Sequence, residues 1–132
     1  MTRPTRILIA APDDDERGAI RQALERDFEI VDAADFTEGY ALLLESPFDL
    51  VVVKSAGPPQ DGIEFIKRVR ANGRLTGILI LVIAEWGTGE PTLALSAGAD
   101  AYEAANGPNP VDVDRLQTSI ERLLSQQAAA AN

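Results

Sequence analysis

The chain contains no cysteine and no histidine. The first absence removes disulfides and thiol nucleophiles, the second removes imidazole acid–base catalysis, and together they remove the ligand sets of ordinary zinc sites. Only oxygen-ligand metal sites stay open. Positive charge is scarce as well, with 12 Lys and Arg against 21 Asp and Glu and a formal net charge of −9. Phosphate contacts need a basic surface, so no nucleic-acid binding by this domain is expected. A basic protein partner is compatible with the same charge. No apolar run approaches the roughly 20 residues that span a bilayer, and no membrane association is expected. Residues 1–6 lack the long apolar region of a secretion signal, so the expected location is the cytoplasm.

What the chain does have is enough apolar material for one core. At 132 residues and 45% hydrophobic content it reads as a single folded domain rather than a disordered segment. Short continuous apolar runs alternate with segments of helical periodicity. Ile7-Leu8-Ile9-Ala10-Ala11 reads as a strand covered on both faces. Asp13 to Glu16 follow as a helix start, and Ala19, Ile20, Ala23 and Leu24 form that helix's apolar face. Residues 28–31 predict a second strand. Phe36, Tyr40, Leu43 and Leu44 mark a second helix, stopped near Ser46-Pro47. Residues 48–53 predict strand three, and Ile63, Ile66 and Val69 line a third helix that ends near Asn72-Gly73. Residues 78–84 predict strand four, the most apolar run in the chain. Leu93, Ala94 and Ala97 predict a short fourth helix stopped at Gly98. Ala101-Tyr102-Glu103 predicts a fifth strand, and Val113, Leu116, Ile120, Leu123 and Leu124 a final amphipathic helix.

Five strand–helix units in this order predict an α/β fold, a doubly wound parallel sheet with five helices on its two faces. The flavodoxin-like strand order 2-1-3-4-5 fits the length, and it places the functional crevice at the carboxyl ends of the strands. The division expected is a domain over residues 1–125 and a low-complexity tail or linker over residues 126–132.

Several local patterns carry a resemblance. The run Asp49-Leu50-Val51-Val52-Val53-Lys54 is followed by Pro58 and then by Asp61-Gly62-Ile63. Ala97-Gly98-Ala99-Asp100-Ala101-Tyr102 leads into the last strand, and Arg17 lies in the first helix after Ile7-Leu8-Ile9. These segments, spread over nearly the whole chain, resemble the receiver domain of response regulators of the chemotaxis-regulator type. The departures from that family are systematic. Its acceptor aspartate falls at Lys54, and its acidic pair falls at Ala11 and Pro12, with Asp13 one step later. Its hydroxyl residue falls at Ile83, its lysine at Ala105, and the proline after that lysine at Asn106. The resemblance therefore implies a degenerate pseudo-receiver. Phosphoryl transfer to a carboxylate needs that carboxylate, together with a divalent ion that offsets crowded negative charge. Lys54 supplies neither and repels the ion, Pro12 has no carboxylate, and Ile83 has no donor.

Each of these residues admits two readings. Lys54 is either a solvated lysine at a strand end or a charge substitution that pairs with Asp13 or Asp14. Asp13-Asp14-Asp15-Glu16 is either a helix cap with favourable dipole charges or a metal site with Asp13 and Asp14 as its ligands; the cap is the expected one. Gly87-Thr88-Gly89 lacks the rest of a phosphate-binding loop and reads as a flexible connection. Tyr102 falls at the family's switch aromatic or is a half-buried strand tyrosine, and Ile83 is expected to hinder its inward rotation. Trp86 either packs over the core or anchors a partner.

The resulting expectation is a receiver-like domain that is not an enzyme, holds no cofactor, and acts in bacterial two-component-type signalling as a protein-interaction or dimerisation module. The resemblance implies a contact face on helix four, strand five and helix five, with Trp86, Leu95 and Tyr102 as candidates and a homodimer as one possible assembly. Three alternatives stay open: a phosphoacceptor using Asp13 or Asp14, a small-anion-binding regulatory domain at Lys54, and, least expected without His, Cys or an acid–base pair, an enzyme of flavodoxin-like fold.

Overall fold

The apolar runs form the strands, and the periodic segments between them form the helices. In chain order these are β1 (Arg6–Ala10), α1 (Asp14–Leu24), β2 (Glu29–Ala33), α2 (Phe36–Glu45), β3 (Leu50–Val53), α3 (Gln60–Ala71), β4 (Leu79–Glu85), α4 (Glu90–Ala97), β5 (Ala101–Ala105) and α5 (Val113–Ala131), with a 3-10 turn at Gly73–Leu75. This computed structural model describes residues 4–55, 60–75, 77–85, 89–105 and 113–131. The sheet is parallel throughout and has the order β2-β1-β3-β4-β5. The flavodoxin-like topology expected from the sequence is the one observed.

Successive strand side chains point to opposite sides, so the sheet divides the core in two. Ile7, Ile9, Leu50, Val52, Leu81 and Ile83 face α1 and α5, where Ile20, Leu24, Leu116 and Ile120 cover them. Leu8, Val51, Val53, Ile80 and Val82 face the other way, against Leu43 of α2, Ile63, Phe65, Ile66 and Val69 of α3, and Ala94 of α4. The central strands β1 and β3 are almost completely buried on both sides, which explains why they read as continuous rather than alternating apolar runs.

Strand pairing begins later than the apolar runs do. Phe28, Phe48 and Ile78 precede β2, β3 and β4 and pack on the core without joining the strands. The fourth helix forms where the sequence predicts it and ends at Gly98. In it Glu90 and Ala94 are buried, whereas Leu93 and Leu95 are exposed. At its carboxyl end Gly98 adopts φ 122°, a conformation that favours glycine. The final helix continues past residue 125 to Ala131, and the Gln127 side-chain amide donates to the Gly77 carbonyl at 2.9 Å.

Two short acidic side chains set the helix starts that border the crevice. Asp13 accepts a hydrogen bond from the Glu16 amide at 2.9 Å, and Asp35 accepts one from the Glu38 amide at 2.7 Å. Each satisfies an amide that the first helical turn leaves without a partner.

Candidate functional site

The crevice lies where β1, β3, β4 and β5 end. The ladders pair Ala10 with Val53 and Val53 with Val82, so Ala11, Lys54 and Ile83 follow as the next row. The Lys54 amide donates to the Ala10 carbonyl at 3.1 Å, which carries the β1–β3 pairing one residue further. Ala11 and Ile83 are both only 1% exposed and belong to the cluster under α1 and α5. Ala105 ends β5 in register with Glu85. The positions singled out in the sequence therefore converge, and the two that the structure describes in full beside Lys54 are apolar.

Lys54 does not pair with Asp13 or Asp14. Its ammonium pairs with Glu16, in the first turn of α1. Asp13 is occupied as the cap of α1. Asp14 points outward and holds the Arg17 guanidinium at 2.5 Å. The same guanidinium donates to the Ala11 carbonyl at 2.8 Å and approaches Asp32 at 3.9 Å. Two cations, Lys54 and Arg17, thus meet the carboxylates and the carbonyl around the β1–α1 loop. The signal for Glu16 was present in the sequence as the fourth residue of an Asp-x-x-Glu helix start. In such a start the glutamate commonly turns back to the capping residue, whereas here the Lys54 charge draws it over the strand end.

A magnesium ion does not fit these residues. Such ions keep near-octahedral oxygen coordination and need carboxylates to hold them. Pro12 and Ala11 offer none, Lys54 brings a like charge, and no group of three or more acidic side chains suited to a metal occurs among the described residues.

Ile83 and Tyr102 lie on opposite sides of the sheet, contrary to the expectation that one obstructs the other. Tyr102 pairs in register with Val82 and packs, half-buried, on the cluster under α2, α3 and α4, whereas Ile83 joins the cluster under α1 and α5. On the expected contact face Leu95 is 44% exposed, and Leu93 beside it on α4 is 53% exposed. Trp86, Pro58, Asn106 and the Gly87-Thr88 part of the glycine-containing loop lie outside the described residues. At the start of α3, Ser55 Oγ accepts from the Gly62 amide at 3.1 Å. A side chain on Gly62 would meet that oxygen at 2.5 Å, so the glycine that follows Asp61 is required by close approach.

Known proteins share this fold. The CheY-like response regulator receiver domain protein from Methanospirillum hungatei superimposes with a TM-score of 0.82 at 25% identity, covering 97% of this chain and 99% of that one. In sequence, the chain is 26% identical to response regulator Rre1 of Synechocystis over its whole length and 29% identical to response regulator protein PmrA of Pseudomonas aeruginosa over 96% of it. In fold and in sequence the chain is similar to response-regulator receiver domains. The chain spans about half the length of the curated relatives it matches, 57% of Rre1 and 55% of PmrA. No family model matches it. None of its described helices is long and apolar enough to cross a membrane.

Proposed function

We propose that this receiver domain accepts no phosphoryl group and works in two-component-type signalling, in the cytoplasm, as a protein-contact module rather than an enzyme. The observation that carries the reading is the Lys54–Glu16 ion pair at the carboxyl end of β3. An acyl phosphate requires a carboxylate at the point of attack and a cation that offsets the charge of the transferred group. An ammonium at that point forms no acyl phosphate, and its own charge is already balanced by Glu16. The displaced candidates are engaged elsewhere, Asp13 as a cap and Asp14 with Arg17. The Glu16 partnership also weighs against a free anion at Lys54. Exposed Leu93 and Leu95 on α4 support a contact role for the α4, β5 and α5 face, with a homodimer among the assemblies it would serve.

The test is a titration of the chain with Mg²⁺ and then beryllium fluoride, an acyl-phosphate mimic, followed through its single tryptophan. The expected result is no saturable response from a folded chain. A saturable response that disappears in Asp13→Ala overturns the reading and assigns a displaced acidic site.

A further inference from the structure

Beside the crevice, a groove of about 780 Å³ runs between the start of α2 and the outer side of α3, with Pro12 of the β1–α1 loop at its end. Its floor is aromatic. The rings of Phe36 and Phe65 stack with centroids 5.2 Å apart and an interplanar angle of 29°. Its rim is acidic. Asp35 uses one carboxylate oxygen to cap α2, and Asp61 is exposed with no partner among the described residues. The two cations that also line the groove are engaged. Lys67 pairs with Glu64 at 3.7 Å, and the Arg68 guanidinium lies 4.2 Å from the centre of the Tyr40 ring. Pro12 leads directly into exposed Asp13, Asp14 and Asp15, so the charge beyond that end is negative as well.

We infer that this groove receives a basic segment of a partner protein, an arginine flanked by aliphatic residues. A guanidinium over the Phe36 ring gains cation–π attraction, and from there it reaches the carboxylates of Asp61 and Asp35 for charge-assisted hydrogen bonds. The flanking aliphatic groups cover Phe65 and Pro12. The chain's net charge of −9 favours a cationic partner at long range, and it repels the phosphate-rich alternative of a nucleic acid. The inference rests on the reading of this domain as a contact module, but it uses a face separate from α4, β5 and α5 and does not depend on whether Lys54 prevents phosphorylation.

The experiment is amide NMR of the nitrogen-labelled full chain, titrated with two synthetic peptides of equal length, one of alternating arginine and leucine and one with glutamate in place of arginine. The arginine peptide alone is expected to shift the amides of Phe36, Thr37, Asp61 and Glu64 saturably. Asp61→Lys is expected to weaken that binding about ten-fold or more. Asp61→Asn, which preserves shape, is expected to weaken it less while leaving the rest of the spectrum in place. Absence of saturation at millimolar peptide overturns the inference, and so does equal binding of both peptides. Unchanged affinity in Asp61→Lys does the same. Shifts confined to α4 and β5 also overturn it, while leaving the contact-module reading intact.

Discussion

The Lys54 ammonium and the Glu16 carboxylate form an ion pair that joins the end of β3 to the first turn of α1. The Lys54 side chain is 17% exposed and that of Glu16 35%, so the pair sits at the mouth of the crevice, within reach of water. Pairs of this kind contribute about 0–1 kcal/mol. Lys54→Met keeps the aliphatic stem and removes the charge; it is expected to fold normally and to lose no more than about 1 kcal/mol in urea unfolding. Glu16→Gln should lose a similar amount, and the double variant should lose less than the two together, since each single change removes the same interaction.

Restoring an aspartate at the strand end is not expected to restore acceptance of a phosphoryl group. Lys54→Asp leaves Ala11 and Pro12 without carboxylates, Ile83 without a hydroxyl and Ala105 without an ammonium, and it sets a new carboxylate facing Glu16. Incubation with acetyl phosphate and Mg²⁺, followed by intact-mass measurement, should show no phosphoryl adduct. This variant should also be less stable than Lys54→Met, because it replaces an attraction with a repulsion.

Ile83 belongs to the core. It is 1% exposed and packs among Ile9, Val52, Leu81 and Leu116. Ile83→Val removes one methylene and should cost about 0.5–1.5 kcal/mol. Ile83→Thr also brings a hydroxyl into an apolar cluster and should cost about 2–4 kcal/mol. Equal losses in urea unfolding would show that the position is wetter than its burial indicates.

The sheet was legible because its central strands are buried on both sides and their residues repeat without interruption, as in Ile7-Leu8-Ile9-Ala10 and Leu50-Val51-Val52-Val53. The row Ala11, Lys54 and Ile83 was legible because spacing along each strand is fixed once the register is known. What escaped the sequence were side-chain directions off the strands. Lys54 has several acidic neighbours in the chain, and which one it meets depends on how α1 leaves the β1–α1 loop; Asp13 is withdrawn by capping and Asp14 by Arg17, which leaves Glu16. The supposed conflict between Ile83 and Tyr102 failed for a related reason. The register of β5 against β4 pairs Tyr102 with Val82 and so turns it to the far side of the sheet. The groove beside Phe36 and Phe65 has no sequence signature, because its lining comes from three segments brought together only by the fold.

Arg70 offers the sharpest test of how the α4 end of the domain is held. From α3 its guanidinium donates to the Gly98 carbonyl at 2.9 Å, the Ile78 carbonyl at 2.7 Å and the Asp100 carboxylate at 2.8 Å. The same Asp100 oxygen accepts from the Ile80 amide at 2.8 Å. One side chain therefore ties α3 to the entry of β4 and to the turn between α4 and β5. Arg70→Ala removes these donors and should cost about 2–3 kcal/mol or more. Gly98→Ala should cost about 1–3 kcal/mol, since φ is 122° there and the added carbon would lie 2.5 Å from Arg70 Cγ. Part of the second cost is the collision with Arg70 and disappears when that side chain is truncated. The double variant is thus expected to be more stable than the sum of the single losses predicts, by about 0.5 kcal/mol or more. Strict additivity in urea unfolding would mean that the backbone conformation alone penalises Gly98→Ala and that the Arg70 side chain moves aside at no cost.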